Sequence, residues 1–131
     1  MGSLLLLFAI ALGPAVLAQP AIPTGTWTGT LTPQNHPDLH LPMTYTVEEC
    51  AEGLAITLAS AAGQAAEARE VRVTPDRIRF AFDEPEEDVP LTCDLRRDDD
   101  GAFAGRCMAA NGTYATFTME PPAQSTIGCT E

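Results

Sequence analysis

From Thr24 onward, apolar residues recur at every second position, and turn-forming residues break the runs. This is the pattern of half-buried antiparallel strands, and eight such segments can be read. Residues 24–32 set Trp27, Gly29 and Leu31 on one face and threonines on the other. Residues 43–49 put Met43, Tyr45 and Val47 inward, and residues 54–60 do so with Leu54, Ile56 and Leu58. Residues 69–74 present Val71 and Val73 against the polar side of Arg69 and Arg72. Pro75-Asp76 then turns the chain into residues 77–83, with Ile78, Phe80 and Phe82 inward. Residues 89–97 point Val89, Leu91, Cys93 and Leu95 inward, and residues 102–109 point Phe103, Gly105 and Cys107. The last segment, 113–119, follows the Asn111-Gly112 turn with Ala115, Phe117 and Met119 inward.

Only the alanine-rich stretch 59–68 shows a 3.6-residue rhythm. It contains Gly63 and follows a strand closely, so it reads as a loop or one helical turn. Nearly all connections are short, so each strand pairs with its sequence neighbour. The expectation is an all-β, eight-stranded antiparallel up-and-down barrel, which leaves no exposed edge. A two-sheet β-sandwich is the alternative. The longer connections, 33–42 and 61–68, lie at mouths that the pattern does not assign.

Four cysteines test the register. A five-residue loop at 98–102 pairs residues whose numbers total 200, which sets Cys93 directly opposite Cys107 on one face. Closing so short a loop is worth about 3 kcal/mol in the chain-entropy model. Cys50 and Cys129 form the second expected disulfide. No CxxC spacing is present, and zinc is not expected.

Ahead of the strands, residues 4–18 read LLLLFAIALGPAVLA, an uncharged apolar run too short for a bilayer span and interrupted by Gly13-Pro14. It reads as a secretory signal peptide covering residues 1–18, although Met1-Gly2-Ser3 brings no lysine or arginine. A cut after Ala18 removes 18 of 131 residues and leaves one domain, 19–131. An even cysteine count in an exported domain favours disulfides, and the expected location is periplasmic or secreted, free of the membrane after cleavage.

The formal net charge is −11, from 18 acidic and 7 basic side chains, and every basic one is arginine. So acidic a chain, with no basic run, is not a nucleic-acid binder, and it is expected to stay a soluble monomer. Lacking lysine, it has no Schiff-base amine and no phosphate-loop lysine. His36, Asp38 and His40 share a loop, but Pro33, Pro37 and Pro42 deny it the helix that would align two histidines, so a solvated loop is the reading. The acidic runs 83–88 and 98–101 lack calcium-loop spacing. The sequon Asn111-Gly112-Thr113 reads as a tight turn. GxSxG, HExxH and a glycine-rich phosphate loop are all missing. The chain is expected to be no enzyme and to need no cofactor.

Gly25-Thr26-Trp27 opens the first strand, and in this position it resembles the GxW motif of lipocalins and related calycin barrels. The Gly-Thr-Trp form is also similar to the first strand of avidin-type barrels, whose biotin pockets need several tryptophans where this chain has one. Gly-Thr-Trp-Thr-Gly-Thr-Leu, with the later Asp-Gly-x-x-x-Gly, resembles small calycin-like modules of bacterial secreted hydrolases. The resemblance implies that Trp27 closes one barrel end and that a late-strand arginine packs on it. Arg106 is the nearest candidate, although alternation points it outward. The lipocalin Thr-Asp-Tyr turn is missing.

The uncharged inward face leads to an expected role: binding a small apolar ligand or lipid inside the barrel. Trp27, Tyr45, Phe80, Phe82, Phe103 and Phe117 are the expected contacts, with Gly29 and Gly105 leaving room among them. A filled core, making the protein an envelope structural module, is the plain alternative. The resemblance also allows a secreted protein partner, such as a protease inhibited through a proline-stiffened arm, residues 19–23.

Overall fold

The computed structural model describes residues 21–123 as nine β-strands. They are β1 (Gly25–Pro33), β2 (Leu41–Cys50), β3 (Gly53–Ser60), β4 (Ala65–Glu67), β5 (Arg69–Thr74), β6 (Arg77–Glu84), β7 (Val89–Arg97), β8 (Phe103–Met108) and β9 (Tyr114–Met119). All pairings are antiparallel. The sheet order is β4-β3-β2-β1-β9-β8-β7-β6-β5, so the first strand meets the last and the two free edges belong to segments adjacent in sequence. The sheet is a nearly closed barrel. No helix among the described residues is long and apolar enough to cross a membrane. The expected leader and its cut site lie outside the described residues.

The strand count departs from the expected eight, and the reason is local. Residues 65–74 are one extended stretch that changes partner. Its first part pairs with β3 through Thr57 opposite Glu67, and the Ala68 amide donates to the Ile56 carbonyl at 2.9 Å. Its second part pairs with β6, beginning with Arg69 opposite Ala81. The register slips between Arg69 and Arg72, where Glu70 takes φ 56°. Such a bulge bends and twists a strand, and here it carries the chain from one edge of the sheet to the other. The expected loop or helical turn at 59–68 therefore holds a three-residue strand. Alanines hide strand alternation, because they contribute little side chain to either face.

Elsewhere the alternation holds. Cys93 stands opposite Cys107 and the two form a disulfide, as the five-residue loop requires. That loop is fastened by Asp98, whose Oδ1 accepts from the amides of Asp100 and Ala102. At the β8–β9 turn, Asn111 Oδ1 accepts from the Thr113 amide and Gly112 takes φ 91°. Cys50 is also disulfide-bonded, while Cys129, its expected partner, lies outside the described residues.

The interior is a single cluster built from the inward faces. Gly29 and Gly105 belong to those faces but do not open space. A Cβ on Gly29 would meet the Thr118 carbonyl oxygen at 1.8 Å, and one on Gly105 would meet that of Asp94 at 2.0 Å. They are glycines because neighbouring backbone comes that close as the sheet coils shut. Gly105→Ala is therefore expected to lower the unfolding free energy by about 3 kcal/mol in urea titration, since backbone must move to admit one methyl. An unchanged midpoint would show that the strands yield freely there.

Candidate functional site

Up-and-down strand order puts alternate connections at the same end. Segments 34–40, 61–64, 85–88 and 109–113 share one mouth, and the turns at 51–52, 75–76 and 98–102 share the other. The two ends differ in filling. At the second, Trp27 and Phe103 pack with ring centroids 5.8 Å apart, and both are fully or almost fully buried. Ile22, just before β1, is 3% exposed, and the Trp27 indole donates to the Pro23 carbonyl at 2.9 Å. The described part of the expected arm thus lies against the barrel. Trp27 stands at the closed end, as the GxW resemblance implies, but its ring partner is Phe103. Arg106 points outward, and its guanidinium lies 4.1 Å from the Tyr114 ring centroid.

The first mouth is open. An apolar cup of about 590 Å³ enters the barrel there, within the size range of small-molecule sites. Half-buried Leu31, Leu91 and Ala115 make its upper wall. Met43, Leu58, Phe82, Cys107 and Phe117 are buried yet line it, so they form its bottom. Phe82 and Phe117 meet edge to face, centroids 6.1 Å apart. The rim is polar, with Gln34, Asn35, His36, Gln64, Glu84 and Glu87, and no lysine or arginine lines the cup.

The expected contact residues divide by height along the barrel. Phe82 and Phe117 line the cup. Tyr45 and Phe80 lie one inward position deeper and are buried beneath it, Tyr45 against Phe117 and Phe80 against Phe82. Trp27 and Phe103 close the far end, and Gly29 and Gly105 mark close backbone approaches. Leu31, Leu91 and Ala115 of the wall and Met43 and Leu58 of the bottom are the lining residues that a search for aromatics passes over. Counting positions from the four connections that share a mouth would have found them.

Among the described residues, two buried side-chain polar atoms have no hydrogen-bond partner: the Tyr45 hydroxyl and the Ser60 Oγ. Ser60 lines the cup, although its Oγ is itself sealed from solvent. Tyr45 is sealed below, and burial pushes its phenol above the ordinary range. His40 Nδ1 and the Thr32 hydroxyl are 2.8 Å apart. Among the described residues no three His, Cys, Asp or Glu side chains gather as a metal site.

No protein-family model matches the chain, and no curated protein does either. Among solved structures it is similar to a redesigned beta barrel, at 17% identity and a TM-score of 0.57, over 76% of this chain and 90% of that one. At that identity the likeness establishes the fold, an antiparallel barrel, and leaves the chemistry to the residues themselves.

Because the Tyr45 hydroxyl is buried without a partner, Tyr45→Phe should raise the unfolding free energy by about 1 kcal/mol. A urea midpoint that rises at constant slope is the expected outcome. A fall of similar size would mean that the hydroxyl has a partner in solution.

Proposed function

We propose that this protein is an exported, calycin-like binding module that carries a small apolar ligand with a neutral or positively charged head in the open cup, and is not an enzyme. The observation that carries this reading is the asymmetry of the two barrel ends. One is plugged by Trp27, Phe103 and Ile22, and the other opens onto buried Phe82 and Phe117. Apolar surface left accessible on the wall of a concave site, here Leu31, Leu91 and Ala115, is where burial of a ligand gains most. Its polar rim, with Gln34, Asn35 and Gln64, would hold the head group. The Cys93–Cys107 disulfide agrees with an oxidising compartment.

Head-group charge follows from the rim. Glu84 and Glu87 stand there with no arginine among the lining residues, so an anionic head would lose its hydration with no cation to replace it. In calorimetric titrations below micelle-forming concentrations, 1-dodecanol and dodecyltrimethylammonium should bind, each at least about tenfold more tightly than dodecanoate. Ala115→Trp, which fills the cup from its wall, should abolish the heat. Absence of binding by all three would overturn the reading, and preference for dodecanoate would overturn its head-group part.

A further inference from the structure

All seven arginines lie between residues 69 and 106, and residues 1–68 and 107–131 contain no arginine or lysine. The strand register gathers six of them on one outer wall. Across β5, β6, β7 and β8, Arg72 stands opposite Arg79, Arg79 opposite Asp94, and Asp94 opposite Arg106. One step along, Arg77 stands opposite Arg96. Arg69 joins them because of the bulge. Three residues before Arg72, it would face inward in a regular strand, but the slip at Glu70 pairs it with outward-facing Ala81 and brings it 3.0 Å from Asp83.

This arrangement works against the fold. Like charges directly opposite one another destabilise a strand pair, and the wall keeps two such pairs, Arg72 with Arg79 and Arg77 with Arg96. Carboxylates outnumber arginines 18 to 7, so partners were available. Even so, among the described residues only Arg69 and Arg77 form ion pairs, with Asp83 and Asp94. Arg79 and Arg96 are left without an ion pair beside Asp94, and Arg72 without one beside Arg79. That carboxyl is held below its usual range chiefly by the Arg77 hydrogen bonds, then by the charges of Arg77, Arg79 and Arg96. The acidic runs at 85–88 and 98–100 lie in connections at opposite ends of the wall. A local rule broken without a structural gain marks a place where function sets the residues.

We propose that the outer wall of β5–β8 docks an extended acidic segment of a partner polypeptide, gripped by Arg72, Arg79, Arg96 and Arg106. The geometry favours a peptide. The arginine rows lie two residues apart along each strand, roughly 6.7 Å, which is also the spacing of same-face side chains in an extended segment. Guanidinium forks take carboxylates two-pronged, as Arg77 takes Asp94 through Nε and Nη2. A flat anionic bilayer would touch only the crest of this convex wall, and a chain of net charge −11 is repelled from an extended negative surface. A short acidic segment meets mainly the local positive field.

The test uses a fluorescein-labelled peptide of about ten residues alternating Glu and Thr, with anisotropy as readout. Binding should appear at about 20 mM NaCl and weaken steeply by about 200 mM. It should fall at least about tenfold in Arg72→Gln/Arg79→Gln and again in Arg96→Gln/Arg106→Gln. Near-UV circular dichroism checks that each barrel is intact, and Arg77 is left in place because it pairs with Asp94. Arg97→Gln, at the end of β7 outside the wall, should bind as the parent does. Three results would overturn the proposal: no binding at low salt, equal loss in Arg97→Gln, or capture by phosphatidylglycerol vesicles in preference to the peptide. Filling the cup with Ala115→Trp should leave peptide binding unchanged, so this surface and the cup stand or fall separately.

Discussion

Everything in this structure depends on closing a sheet whose strands each carry one apolar and one polar face. Such a sheet can hide its apolar face only by curling, and it removes its edges only if the first strand reaches the last. β1 does meet β9, through Leu31 with Phe117 and the residues beside that pair. The approach is so tight that Gly29 has no space for a side chain beyond its α-carbon. Opposite this seam, residues 65–74 finish the barrel by changing partner at Ala68, at the cost of a bulge and a left-handed Glu70. A strained non-glycine residue of this kind persists only where the surrounding structure demands it.

Closure leaves two ends, and their different filling gives the molecule its polarity. Aromatic bulk near the start of β1 and of β8, with the chain preceding β1, plugs one end. At the other, the inward positions above Phe82 and Phe117 are mostly aliphatic, Leu31, Met43, Leu58, Leu91 and Ala115 among them, and an open cup enters there. The Cys93–Cys107 bridge ties β7 to β8, with Cys107 lining the cup. The outer surface is polarised as well: threonines cover the β1 side, and the arginines are confined to β5–β8.

Most of the fold was legible because alternation with a period of two is a strong signal when one face is buried. The β6–β7–β8 pairing and the Cys93–Cys107 contact follow from loop length alone. The stretch 65–74 was only half legible: 69–74 reads as a strand, whereas 65–67 was expected in a loop or helical turn. Residues 65–67 read Ala-Ala-Glu and carry no alternation, and a partner change is a tertiary event with no local signature. The site was legible as a face but not as a depth. Tyr45, Phe80, Phe82 and Phe117 all point inward, yet only position along the barrel axis separates those that line the cup from those beneath it. The arginine wall was hidden for another reason. Its residues are scattered over four strands, and only the register brings Arg72, Arg79, Asp94 and Arg106 into one row.

The central claim is that the barrel is hollow at one end so that it can hold a guest. Native mass spectrometry of the oxidised protein as isolated from its producing cells, under gentle ionisation, tests this most directly. The expected result is a noncovalent adduct that is released on activation as an uncharged or cationic apolar molecule and is missing from Ala115→Trp. A bare mass for the parent protein, unchanged after incubation with 1-dodecanol and dodecyltrimethylammonium, would contradict it.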